Sequence, residues 1–201
     1  ERLLALHSAG DYAGFMELAV KARLNIIASG ATGSGKTTYA NAIIEFVDPN
    51  DRIITIEDTR EILLPGHPNH VHLLYESDGR AAGSVTAREL LRAALRMRPD
   101  RIFVAELRGP EAYDYFVNVG TGHPGSITTI HAGSVAEVRE MLVMRMKESE
   151  EGRGYSRSEI IEMTYHTVDV ICQFTTTQGP NGKERGISEI YYDPVRKRTL
   201  Q

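Results

Sequence analysis

Residues 29–38 read Ser29, Gly30, Ala31, Thr32, Gly33, Ser34, Gly35, Lys36, Thr37, Thr38. Gly30, Gly35, Lys36 and Thr37 satisfy the pattern G-x-x-x-x-G-K-[ST] at each fixed position. Gly30, Gly33 and Gly35 let the backbone turn tightly and point its N–H groups inward. With the positive end of a following helix, those amides make a cradle for phosphate oxygens. Residues 30–38 are therefore the expected ATP-binding segment. The Lys36 ammonium would lie against the β- and γ-phosphates, and the Thr37 hydroxyl would ligate Mg²⁺.

Three further polar groups end apolar runs. Ile53, Ile54, Thr55 and Ile56 form a nearly continuous β-branched run that leads into Glu57 and Asp58. Such a run suits a strand buried on both faces. Arg101, Ile102, Phe103, Val104 and Ala105 lead into Glu106, and Ile127, Thr128, Thr129 and Ile130 lead into His131. Sheets of α/β proteins bind ligands at the carboxyl ends of their strands, so Glu57, Glu106 and His131 would meet at one edge. Downstream of a phosphate loop, a strand-end carboxylate such as Glu106 holds Mg²⁺ through water and polarises the attacking water. His67, His70 and His72 match no common zinc spacing, and Pro65 and Pro68 make their segment an irregular surface stretch.

The elements that must position these groups follow from the pattern. Residues 24–28 read as a buried strand and 38–46 as a helix, the strand–loop–helix setting that a phosphate loop needs. Asp11 is an N-cap for a helix over 12–22, with Phe15, Leu18, Ala19 and Ala22 on its buried face. Thr86 and Glu89 open a capped helix that runs through Met97, and Ser156 with Glu159 opens another. Arg88, Arg92 and Arg96 recur every four residues, either as a solvated face or as a subunit contact or phosphate sensor. Residues 71–75 read as a short strand, 76–84 as a mobile loop, 120–125 as a tight loop and 148–154 as a charged connection. Val138, Met141, Leu142 and Met146 form a core stripe on a helix over 135–147. Residues 168–175 and 186–192 read as strands of a C-terminal hairpin.

The bulk properties agree with one α/β domain. The chain has 201 residues and a formal net charge of −4, which does not favour general nucleic-acid affinity. One cysteine, Cys172, excludes a disulfide framework and a four-Cys zinc site, and its apolar surroundings make it a core thiol. No apolar run reaches the length of a membrane span and no leader is legible, so a reducing, cytosolic compartment is expected. The chain starts at Glu1 inside a helical pattern and is expected to be part of something longer.

Four segments in order resemble one family: residues 30–38; Ile54 through Glu61; Leu95 through Asp100 with Val104 through Arg108; and Gly122 through Ala132. They look like the Walker A, aspartate, Walker B and histidine boxes of the secretion ATPases, which power type II secretion, type IV pili and type IV secretion. Gly122, His123, Pro124, Gly125 and Ser126, with the lead-in Leu95, Arg96, Met97, Arg98, Pro99 and Asp100, are similar to the hexameric traffic ATPase of bacterial type IV secretion and conjugation systems. Ala105 departs from the Gly usual before the Walker B glutamate.

The resemblance implies an α/β, RecA-like P-loop NTPase with a mostly parallel central sheet flanked by helices. Residues 1–22 would be a segment from an absent N-terminal domain that supplies arginines to the site, and 23–201 the ATPase domain. It implies Mg-dependent ATP hydrolysis by a homohexamer, peripheral to the inner membrane on its cytoplasmic side, with other secretion-system proteins as partners and no sequence-specific nucleic acid. Lys36, Glu57, Glu106 and His131 are then the catalytic candidates. Glu57 is the first candidate to activate water, with Glu106 as the alternative, so Glu57→Gln is expected to bind ATP without turnover. His131 would sense the γ-phosphate, and Arg60 and Arg108 are candidate sensors. The alternatives are a type II secretion or type IV pilus motor of the same superfamily, or a RecA-like nucleic-acid motor.

Overall fold

The computed structural model describes residues 1–76, 84–180 and 182–199, without the side chains of residues 121 and 197–199. Helices α1 (Arg2–Ser8) and α2 (Tyr12–Lys21) lead into β1 (Ile26–Ser29), and Asp11 caps α2 through the Gly14 amide. The glycine-rich loop leads into α3 (Lys36–Ile44), followed by β2 (Ile53–Glu57), β3 (His70–Leu74) and α4 (Ala87–Ala94). A 3₁₀ turn at Leu95–Met97 precedes β4 (Arg101–Val104). Next come α5 (Glu111–Gly122), β5 (Ile127–Ile130), α6 (Val135–Met146), a single turn α7 (Glu150–Arg153) and α8 (Arg157–Thr167). The last described elements are β6 (Val170–Gly179), β7 (Gly182–Tyr192) and α9 (Pro194–Thr199).

Among the described residues the strands form a seven-stranded sheet in the order β3-β2-β4-β5-β1-β6-β7. Every neighbouring pair is parallel except β6 with β7. Parallel pairing demands crossovers, which bury both sheet faces; hence the continuous apolar runs. Ile26, Ala28, Ile53, Phe103, Ile127 and Cys172 pack with α2 and α3 on one face. Ile27, Ile54, Ile102, Val104, Ile130 and Ile171 pack with α4, α5, α6 and α8 on the other. The helix after β1 therefore covers one face, and those after β4 and β5 cover the other. A crevice opens where they diverge, at the carboxyl ends of β1, β4 and β5.

Tertiary packing moves several expected boundaries. Helix α4 ends at Ala94 and tightens into the 3₁₀ turn over Leu95–Met97, so the helical stretch stops before Arg98, which sits at φ +54° ahead of Pro99. Helix α5 runs on through Gly120 to Gly122 where a loop was expected. Gly120 lies against α8, where a Cβ would meet Thr167 Oγ1 at 2.8 Å, so this glycine serves close helix approach rather than a turn. The buried face of α2 is Phe15, Met16, Ala19 and Val20, turned from the expected one because Met16 Sδ meets Cys172 Sγ of β6 at 3.9 Å. Helix α2 thus packs into this core through that face. The hairpin is longer than its apolar residues indicated, and α7 sits within the charged connection. The expected loop over 76–84 falls mostly on residues 77–83, outside the described residues.

Arg88 and Arg92 of the arginine stripe pair within the fold, while Arg96 lies in the 3₁₀ turn and is exposed. Arg88 pairs with Asp114 of α5 and with Glu151 of α7 at 2.6 Å, and Arg92 reaches Asp114 at 2.9 Å. At the amino edge of the sheet, Arg101 is 2% exposed and donates to Asp51 Oδ2 at 2.7 Å. It also donates to the Val20 and Gly125 carbonyls at 3.1 and 3.3 Å, while Arg23 takes the other Asp51 oxygen.

Candidate active site

The carboxyl ends of β1, β4 and β5 open onto a cleft of about 450 Å³. Its floor is the loop between β1 and α3. A Cβ on Gly30 would meet the Phe174 carbonyl oxygen and Ser34 Oγ, both at 2.7 Å, so only hydrogen fits between the loop and β6. Gly35 adopts φ +99° immediately before α3, a conformation that favours glycine. That turn delivers Lys36 and Thr37 as the first helical residues, where the helix has unpaired amides and partial positive charge. Thr32, Gly33, Gly35, Lys36, Thr37 and Thr38 line the cleft; of the other loop residues, Gly30 and Ser34 are buried and Ala31 is exposed.

Lys36 is 7% exposed, and its Nζ donates to the carbonyls of Gly30 and Ala31 at 2.7 and 2.9 Å. Burial lowers the Lys36 pKa; nearby Glu106 works against that and Arg108 works with it. From Lys36 a chain of ionisable groups crosses the strand ends. Lys36 Nζ lies 3.5 Å from His131 Nδ1, and His131 Nε2 lies 3.1 Å from Glu106 Oε1. Arg108 donates to Glu106 Oε2 at 3.0 Å and pairs with Asp58 as well. A neutral imidazole with its proton on Nε2 satisfies both His131 contacts. The hydrogen bond to Glu106, with Asp58 beside it, raises the Arg108 pKa and keeps it charged. Both backbone groups of Ala105 are paired: its N–H donates to the Ile56 carbonyl and its carbonyl accepts from Thr129 Oγ1 at 2.8 Å.

Lys36, Thr37, Glu106, Arg108 and His131 are therefore brought together, and Glu57 and Arg60 stand apart. Glu57 is wholly buried. Its Oε1 takes hydrogen bonds from Thr55 Oγ1 at 2.7 Å and His72 Nδ1 at 3.0 Å; its Oε2 takes the amides of Glu61 and Ile62, both at 2.8 Å. Arg60 is exposed and does not line the cleft. The aspartate-box group that does is Glu61, whose carbonyl also accepts from Asn41 Nδ2 of α3 at 2.9 Å. His67 and His70 hydrogen-bond backbone carbonyls. Sequence reasoning passed over Glu61, Thr129 and Arg185, all of which line the cleft. Glu61 lay inside a quoted motif; Arg185 carried no local signal.

A phosphate loop at the first strand, a carboxylate and a histidine at neighbouring strand ends, and a parallel sheet between two helical layers define a RecA-like, phosphate-loop core. The chain belongs to the Type II/IV secretion system protein family, whose sequence pattern matches residues 7–187. It is 43% identical over 198 residues to the Type IV secretion system protein VirB11 of Bartonella quintana (strain Toulouse), covering 98% of this chain and 54% of that protein. The crystal structure of the VirB11 ATPase from the Brucella suis type IV secretion system in complex with sulphate matches with a TM-score of 0.90 at 45% identity, covering 99% of this chain and 57% of that one. The Legionella pneumophila ATPase DotB matches with a TM-score of 0.66 at 26% identity, covering 88% and 47%. The chain spans about half the length of these relatives.

Proposed function

We propose that the chain is the nucleotide-hydrolysing domain of a type IV secretion motor subunit. In this reading the full-length protein hydrolyses ATP as a homohexameric ring, on the cytoplasmic side of the bacterial inner membrane, together with other secretion-system proteins. The observation that carries it is the convergence of Lys36, Thr37, Glu106 and His131 on one cleft over a phosphate loop.

Thr37 and Glu106 offer hydroxyl and carboxylate oxygens, hard donors that suit Mg²⁺, which such sites hold by one or two protein groups and the phosphates. Thr37 would hold it directly and Glu106 through water. When bound, the ion neutralises charge on the phosphates. Lys36 exchanges the Gly30 and Ala31 carbonyls for phosphate oxygens. Glu106, held from one side by His131 and from the other by Arg108, accepts a hydrogen bond from the attacking water and aims it at the γ-phosphate. His131, between Lys36 and Glu106, registers the γ-phosphate and hands its presence to α6, which begins four residues later.

The test is steady-state ATP hydrolysis by wild type, Lys36→Ala and Glu106→Gln. Lys36→Ala is expected to abolish turnover. Glu106→Gln is expected to keep ATP binding and lose about 10²–10⁴-fold in kcat. Glu106→Gln at the wild-type rate would remove that role. Specific activity that rises with protein concentration marks a site shared between subunits, and flat activity counts against the ring.

A further inference from the structure

The β6–β7 hairpin outruns the sheet. β6 pairs with β1 only from Val170 to Gln173, and its register with β7 shifts between Gln173 and Phe174. A bulge of this kind bends and twists a strand, and such bulges often sit beside functional sites. Past it the two strands continue as a free-standing ribbon, paired from Phe174 with Ile187 to Gly179 with Gly182. An isolated two-stranded ribbon is marginal in water. This one is fastened at its base to the phosphate loop and its surroundings. The Phe174 ring packs on Tyr39 of α3 with centroids 4.9 Å apart, and the Phe174 carbonyl closes on Gly30. Gln173 Nε2 donates to the Ala132 carbonyl, next to His131, at 3.1 Å.

Arg185 stands on this ribbon and lines the cleft, with its Cδ 3.9 Å from the position of a Cβ on Gly35. The cations lining the cleft, among the described residues, are Lys36, Arg108, Arg185 and whatever charge His131 carries. Lys36 is tied to two carbonyls and Arg108 to two carboxylates. The Arg185 side chain has no hydrogen-bond or ion-pair partner among the described residues. A guanidinium is a rigid fork of donors that matches phosphate oxygens, and one without a carboxylate partner at the rim of a phosphate loop is free to use it.

We propose that Arg185 is a phosphate-binding residue, carried by the hairpin ribbon, that clamps the phosphates of a nucleoside di- or triphosphate against the loop over residues 30–37. The proposal rests on the reading of the cleft as the ATP site. Isothermal titration with ATP and with inorganic tripolyphosphate, on wild type, Arg185→Gln, Arg185→Lys and Lys183→Gln, tests it. Arg185→Gln is expected to weaken both ligands equally, by about tenfold or more, as loss of a charged hydrogen bond does. Arg185→Lys should recover part of that, and Lys183→Gln, on the same ribbon, should bind as wild type. Both positions are exposed, so matching thermal unfolding is expected of all variants.

Arg185→Gln with wild-type affinity for both ligands overturns the proposal. So does a loss for ATP alone, which would mean stacking on the base, or an equal loss in Lys183→Gln, which would mean a diffuse charge effect. If wild type binds tripolyphosphate in an Arg185-dependent way but not ATP, the clamp stands and the ATP reading falls. If it binds neither, both fall.

Discussion

Glu57 and Glu106 both end apolar strands, and their surroundings assign them different work. Glu106 faces an open cleft between His131 and Arg108. Glu57 faces no cleft; its oxygens hold the amides of Glu61 and Ile62 and so fix the turn that sets Glu61 on the cleft wall. A base fails once its carboxylate becomes an amide, whereas a pin needs only an acceptor oxygen. Glu57→Gln is therefore expected to keep most of the stability and hydrolysis. Glu57→Ala strands the amides of Glu61 and Ile62 and is expected to cost about 2–6 kcal/mol in urea unfolding, at about 1–3 kcal/mol for each unpaired group. Equal loss of turnover in Gln and Ala variants, with stability intact in both, would return Glu57 to the chemistry. Its strand-end position was legible in the sequence; its burial was not, because that depends on where β3 and the 58–62 turn fold back.

At the scale of elements, the contact between α5 and α8 sets two effects against each other. Gly120→Ala gains about 1 kcal/mol of helix propensity. It also drives a methyl into Thr167 Oγ1, which is buried, and overpacking of this sort costs about 1–3 kcal/mol. The clash should win in the single variant, measured by urea unfolding, and Gly120→Ala with Thr167→Ala should recover what the single change lost. The same contact shows where sequence reading stops. Gly120, Gly122 and Gly125 look alike as letters, yet only Gly125, with φ +85°, is in a turn that needs glycine. The phosphate loop and the capping boxes at Thr86 and Ser156 were legible because their hydrogen bonds close within a few residues. The ribbon carrying Arg185 was not. Thr175, Thr176, Thr177 and Gln178 pair with Gly186, Arg185, Glu184 and Lys183 without apolar alternation to mark the strands.

For the molecule as a whole, burial of ionisable groups fixes how the fold responds to alkali. Burial pushes the Cys172 thiol up to about 12 from 9.0, and it raises the Tyr39 and Tyr115 phenols as well. In the unfolded chain these groups ionise near about 8.5 for cysteine and 10 for tyrosine. Above those values the unfolded state has released protons that the native state keeps, so stability falls as pH rises. Urea midpoints are expected to respond to these groups from about pH 8.5 and to decline toward about 12, with Cys172→Ala shallower at the start of the decline; a midpoint that climbs over that window would contradict the burial. The Asp51, Arg101 and Arg23 knot at the opposite edge carries a different consequence. It joins the end of α2, the start of β4 and the turn before β5 through one buried guanidinium. Strands β4 and β5 are therefore moored at their amino ends, and their carboxyl ends lead into the partly exposed Glu106 and His131 at an open cleft. Amide hydrogen exchange is therefore expected to be slow at the moored ends and faster in the loops that follow β4 and β5, and a ligand that bridges Glu106 and His131 is expected to slow those loops while leaving the mooring unchanged.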